Sequence, residues 1–186
     1  MPARHRGWHE RGYLPHFDRG DVVQAITYRL GDSLPGHVEV DRRRFQSLLD
    51  GGRGSCILRR PDIAREIVDA WLHFDAIRYR LHAWVVMPNH VHVVATIYRG
   101  YPLSRVVHSW KSFTAHRIRT LTGQTGRIWH PDYWDRFIRD DQHFLNAVDY
   151  VEQNPVFAGL AVNPEDWPFS SASYHHSNNN APTTMR

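Results

Sequence analysis

The sequence predicts an α+β fold, with helices packed on an antiparallel sheet. Three observations carry this. An alternating run turns at Pro88-Asn89 into a second apolar strand; segments of helical periodicity lie on either side of that pair; and 186 residues suffice for one ordinary domain but not comfortably for two.

In chain order, residues 1–20 are basic, aromatic and glycine-containing, with no clean period, and read as an N-terminal arm. Val22 to Leu30 has the pattern of a strand. Asp41 to Asp50 reads as a short helix closed by Gly51-Gly52. Pro61 to Phe74 starts with proline in a first turn and places Ile63, Ile67, Ala70 and Trp71 on one side. From Ile77 to Met87 the residues alternate. Ile77, Tyr79, Leu81, Ala83, Val85 and Met87 are expected on one face, and Arg78, Arg80, His82 and Trp84 on the other. The return strand runs from about His90 to Tyr98. The longest helix spans Leu103 to Leu121, with Val106, Val107, Trp110, Phe113 and Ile118 on its apolar side. Ile128-Trp129 suggests a short strand. Asp140-Asp141 offer N-caps for a last helix, expected to end near Gln153 because Asn154 precedes a proline. Residues 1–174 are thus expected to form one domain. Residues 175–186 are expected to be a disordered polar tail.

Composition narrows the function. The net charge is +4 and the pI about 9.5, which favours a polyanionic partner. Lys111 is the only lysine, so the positive charge is nearly all arginine; a GC-rich genome is the favoured reading of that bias, though arginine's forked donors also suit phosphates. A single cysteine, Cys56, excludes an internal disulfide. No apolar run approaches a membrane span, and the first residues lack the apolar stretch of a secretory signal. A cytoplasmic, nucleoid-associated location and no membrane partner are the expectations.

Two residue patterns carry chemistry. His90 and His92 are two apart on a strand, so both side chains leave the same face and their ring nitrogens can converge on one metal ion. The intervening Val91 lies with Val93, Ala95 and Ile97 on an apolar face that must be covered. A third ligand would have to arrive from elsewhere. With 14 histidines in the chain, a pair of half-exposed structural histidines is the competing reading. In the last helix, Phe144, Val148 and Val151 form the buried stripe. Tyr150 lies roughly 120° from its centre at ~100° per residue. A second stripe holds His143, Ala147, Tyr150 and Asn154, which stacks a phenol and an amide oxygen one turn apart. Gln153 is a weaker alternative ligand. For Tyr150 the competing reading is a boundary tyrosine.

Met87-Pro88-Asn89-His90-Val91-His92 resembles the HUH motif of single-tyrosine transposases. Tyr150-Val-Glu-Gln-Asn154-Pro-Val-Phe-Ala-Gly159-Leu resembles the tyrosine helix of their REP-associated branch. So do Trp134-Asp-Arg-Phe-Ile-Arg-Asp140, Trp167-Pro-Phe-Ser-Ser171 and the early Arg-Gly-Tyr-Leu-Pro-His-Phe. The resemblance spans roughly residues 5 to 174. It implies a ferredoxin-like antiparallel sheet flanked by helices and a monomer. It also implies recognition of single-stranded hairpin DNA from repetitive extragenic palindromes. The roles it carries over are Tyr150 as nucleophile and His90, His92 and Asn154 as ligands of a divalent metal, Mg²⁺ or Mn²⁺, with Zn²⁺ left open.

The physical logic agrees with those roles. A tyrosine hydroxyl, with an unperturbed pKa near ~10, is a poor nucleophile at neutral pH, and a phosphodiester repels attack. A cation answers the second difficulty. Attack by Tyr150 would leave a 5′-phosphotyrosine and a free 3′-hydroxyl, so that rejoining needs no ATP. Candidate DNA contacts are Lys111, Arg117 and Arg119 on the long helix, Arg136 and Arg139 before the tyrosine helix, and Arg4, Arg6 and Arg11 in the arm. An ordinary solvated face competes for each. Trp84 or Trp129 could stack bases, with core packing the alternative. Two rival functions are a metal-dependent nuclease using water, and a hairpin-binding regulator without chemistry.

Overall fold

The computed structural model describes residues 7–10, 15–34 and 42–179. Two short strands, β1 (Gly7–Glu10) and β2 (Pro15–Asp18), pair antiparallel, so the described part of the expected arm is a hairpin. Then come β3 (Val22–Arg29), α1 (Arg42–Asp50), α2 (Pro61–Leu72), β4 (Tyr79–Val86), β5 (His90–Ile97) and α3 (Leu103–Thr122). Last are β6 (Trp134–Phe137), α4 (Asp141–Phe157) and α5 (Ser171–Asn179).

Four strands form one antiparallel sheet in the order β4-β5-β3-β6, the ferredoxin-like arrangement. β4 and β5 form the expected hairpin across Pro88-Asn89, and Val22–Arg29 pairs along the whole of β5. The α+β class therefore stands as read. Trp129 contributes only a single bridge, to Leu30, rather than a strand.

One face of the sheet carries the main core. Val91, Val93, Ala95 and Ile97 of β5 meet Ile63, Ile67 and Trp71 of α2 and Val106, Val107 and Trp110 of α3. Trp71 donates to the Tyr28 hydroxyl at 3.0 Å and Trp110 to the Tyr79 hydroxyl at 2.9 Å. These buried indoles therefore keep their hydrophobic contribution without an orphaned donor. Pro61 opens α2 at its first turn, and Gly123 closes α3 at φ 68°, a left-handed geometry that glycine adopts without steric cost.

The expected face assignment in the first hairpin strand fails at its middle. The register passes from Leu81–Ala95 to Ala83–Val94, so His82 is an extra residue, a β-bulge. After it the faces exchange. Tyr79, Leu81, Trp84 and Val86 lie on the α2/α3 side, whereas Ala83, Val85 and Met87 lie under α4. A one-residue insertion inverts a period of two, and alternation alone cannot reveal it.

Two helix ends also differ from expectation. α4 does not stop before Pro155 but runs to Phe157. Val151, Asn154 and Pro155 are all buried, and the backbone resumes with Ala158 N–H donating to Asn154 O at 3.0 Å. Tertiary packing there outweighs the local preference of the residue before proline. The helix at the C-terminal side continues to Asn179, so the first five residues of the expected disordered tail are helical. Residues 180–186 lie outside the described residues.

Candidate active site

Among the described residues, the second face of the sheet is only partly covered. α4 packs Phe144, Ala147, Val148, Tyr150 and Val151 against Ala83, Val85, Met87 and Val94. Beyond that contact the face opens into a cleft of about 660 Å³, lined by Thr27, Gln46, His92, Arg136, His143 and Tyr150 among others.

His90 and His92 leave β5 on this face, as their spacing requires. Their Nε2 atoms are 3.1 Å apart. His90 Nδ1 lies 2.7 Å from Asn89 Oδ1, and the Asn89 amide donates to Arg53 O at 2.9 Å. That second bond fixes the amide orientation, so an oxygen faces His90, Nδ1 carries the hydrogen and Nε2 presents its lone pair. Burial lowers the His90 pKa to about 3, which keeps the ring neutral. His92 Nδ1 lies 2.8 Å from the hydroxyl of Thr27, its register partner on β3. Both rings are thus held from behind, as metal-ligating histidines are.

α4 brings the tyrosine. Asp140 caps it by accepting from His143 N–H at 2.8 Å. The Tyr150 ring is half-buried, with its centroid 5.7 Å from that of His92. One turn on, Asn154 is 2% exposed and its Oδ1 accepts no hydrogen bond, an uncommon and costly state for a buried carbonyl. Two imidazoles and a buried amide oxygen with no hydrogen-bond donor are the kinds of donor that suit a divalent cation. Among the described residues no three His, Cys, Asp or Glu side chains are assembled as a metal cluster.

The predicted DNA contacts divide. Arg136 is exposed and lines the cleft beside Tyr150. Arg139, also exposed, sits over the Phe137 ring at 5.4 Å. The other three described candidates already hold internal partners. Lys111 donates to the backbone oxygens of His130 and Pro131 at 2.7 and 2.8 Å, and burial lowers its pKa to about 8. Arg117 forks onto Glu66 of α2, and Arg119 ties down Gly126 O. Arg4, Arg6 and Arg11 lie outside the described residues. Trp84 and Trp129 are core residues, 3% and 4% exposed.

Sequence reasoning missed four side chains at the site. Asn89 reads from the sequence only as a turn residue, although it stands in the quoted motif. Thr27, Gln46 and Asp50 are brought in by pairing and packing across 40 residues or more, and only the four-residue spacing of Gln46 and Asp50 on one helix face is visible beforehand.

A His-x-His strand in a ferredoxin-like sheet, facing a tyrosine helix, is the arrangement that the sequence resemblance implies. Residues 64–154, which hold His90, His92, Tyr150 and Asn154, match the family described as Transposase IS200 like. The REP-associated tyrosine transposase of Escherichia coli K12 is 35% identical over 95 residues, covering 50% of this chain and 54% of that protein. A relative from Haemophilus influenzae is 29% identical over 98 residues, again covering 54% of its length. The chain is similar over these segments to REP-associated tyrosine transposases and spans about half the length of the curated relatives it matches. A solved REP-associated tyrosine transposase bound to a REP hairpin superposes with TM-score 0.64 over 95% of this chain and 92% of that one. At 21% identity this shows a shared fold. Among the described residues no helix is long and apolar enough to cross a membrane.

Proposed function

We propose that this protein is a metal-dependent single-strand DNA endonuclease and strand transferase acting on hairpin-forming palindromes. The observation that carries the reading is the placement of Tyr150 and His92 on one cleft, rings 5.7 Å apart, with the exposed Arg136 on the same rim. His90, His92 and Asn154 would hold Mg²⁺ or Mn²⁺, which would neutralise the scissile phosphate and stabilise the departing oxygen. Arg136 would fix a phosphate of the strand without reading its sequence. The Tyr150 oxygen attacks phosphorus, the bond to the 3′ oxygen breaks, and the phenolic proton ends on the released 3′-hydroxyl. The phosphate stays on Tyr150 as a diester, so a second 3′-hydroxyl can reverse the step and join a new end. The kinship with REP-associated tyrosine transposases supports a hairpin of repetitive palindromic DNA as substrate.

The test uses hairpin strands labelled at either end, incubated with Mn²⁺ and resolved on a denaturing gel. The wild-type protein should retain the fragment downstream of the cut, through its 5′ phosphate, in an SDS-resistant band. Tyr150→Phe keeps the ring and its packing and should lose both cleavage and adduct. Cleavage by the wild type without any adduct would favour a nuclease that uses water. Binding without cleavage would leave a regulator.

A further inference from the structure

Two imidazole nitrogens and a carboxylate oxygen converge on one point beside the sheet, and a neutral side chain fills it. The Gln46 amide nitrogen lies 3.2 Å from His90 Nε2, 3.2 Å from His92 Nε2 and 2.8 Å from Asp50 Oδ1. The carboxylate can only accept, so it is the amide nitrogen that faces it. Asp50 Oδ1 is itself only 3.6 Å from His90 Nε2. Two imidazole lone pairs and a carboxylate around a single point are what a divalent cation collects, and the amide hydrogens supply a weak substitute for its charge.

The position of Asp50 on its helix points the same way. It is the last residue of α1, where the backbone carbonyls leave partial negative charge, and no basic residue stands in that turn. Stability favours a cation at such a place, not a carboxylate. With Gln46 in place the two histidines and Asp50 are not assembled as a metal cluster, and the Asp50 side chain, about a quarter exposed, would turn inward to join them. We propose that Asp50 is a further ligand of the cation bound by His90 and His92, and that Gln46 is a placeholder that swings away when the cation enters. This rests on the metal reading of the histidine pair. A carboxylate added to two neutral imidazoles and an amide oxygen offsets half the charge of the ion and biases the site towards hard, oxygen-preferring cations. It also makes α1 part of the active site.

The experiment is Mn²⁺ titration of the full chain, read by calorimetry and by the electron paramagnetic resonance of the free ion, with no DNA present. Asp50→Asn keeps the shape and removes the charge, and should weaken Mn²⁺ binding by about tenfold or more. Asp50→Ser should do the same, and either variant suffices if the other does not fold. Gln46→Ala should bind Mn²⁺ at least as tightly as the wild type, because it removes the competitor. His92→Ala is the control for the site itself and should bind far more weakly. Loss in His92→Ala with wild-type affinity in Asp50→Asn would overturn the proposal and spare the histidine pair. Equal losses in Gln46→Ala and Asp50→Asn would also overturn it, since Asp50 would then act by holding Gln46. Wild-type affinity in both His92→Ala and Asp50→Asn would remove the metal reading altogether.

Discussion

Two buried histidine clusters flank the sheet, and they differ in what faces the ring. His16 of β2 and His90 of β5 are each 0% exposed. Burial penalises the imidazolium in both. At His90 that penalty stands alone, and the pKa falls to about 3. At His16 burial also lowers the pKa, but hydrogen bonds and charge from Asp132 and Asp135 outweigh it and raise the value to about 9. His16 Nε2 lies 3.1 Å from Asp132, and its Nδ1 bonds to Asp135, which also accepts from Phe17 N–H at 2.9 Å. Burial fixes the size of the penalty and the partners fix its outcome. The first histidine is a cation that ties the N-terminal hairpin to β6. The second is a neutral donor with a lone pair to give.

The largest effect should come from breaking the neutral cluster. His90→Ala or His92→Ala should reduce cleavage of a hairpin strand by at least about a hundredfold. The fold should change little, since no buried charge loses its partner. Measuring cleavage, hairpin binding and the thermal midpoint together separates these effects. Cleavage at the wild-type rate in the double variant would refute the site.

Breaking the charged cluster should do the reverse. His16→Ala strands the buried Asp135 carboxylate, and removing one member of a buried ion pair costs about 3–5 kcal/mol. A urea melt should show that loss, whereas cleavage measured well below the new midpoint should stay close to wild type. A loss under about 1 kcal/mol would mean that the two aspartates find other partners without the ring.

The same cluster makes stability depend on pH. Because His16 titrates near 9 in the folded protein and at 6.5 when unperturbed, the folded state holds the proton more tightly than the unfolded chain does. Its contribution is complete below about pH 6.5 and is lost as the pH rises towards 9. The shift corresponds to on the order of 3 kcal/mol. Urea midpoints taken from about pH 6 to 9.5 should therefore fall, and His16→Gln should flatten that part of the curve. An unchanged slope in the variant would assign the fall to other groups.

These two clusters also mark how far the sequence could be read. The spacing of His90 and His92, the hairpin around Pro88-Asn89 and the apolar face of Val91, Val93, Ala95 and Ile97 are local patterns, and the structure keeps them. The His16 cluster was not legible, because it joins residues more than 110 positions apart. Nor was β6, whose four residues are too few to establish alternation and only partly buried. The bulge at His82 defeated the face assignment, because a single inserted residue leaves no trace in composition. Gln46 and Asp50 sat in a recognised helix, but nothing in that helix says which strand it covers.

The smallest effect applies the same rule to arginines. Arg117 has found its partner: it forks onto Glu66 and joins α3 to α2, with 39% of its side chain exposed. Arg136 lines the cleft beside Tyr150, and among the described residues no carboxylate is paired with it. A guanidinium already satisfied by a carboxylate has little to offer a phosphate, whereas one over an open cleft gains a charge-assisted bond when a strand arrives. Arg136→Ala should weaken binding of a hairpin strand several-fold, equally for different sequences, and lower the dependence of log K on log salt by about one unit. Arg117→Ala should leave both quantities at wild-type values and cost the fold less than about 1 kcal/mol, the range of an exposed ion pair. Fluorescence anisotropy across a salt series reads both variants in one experiment. If Arg117→Ala lowers the salt slope as much as Arg136→Ala does, the bound strand extends past the cleft and reaches α3.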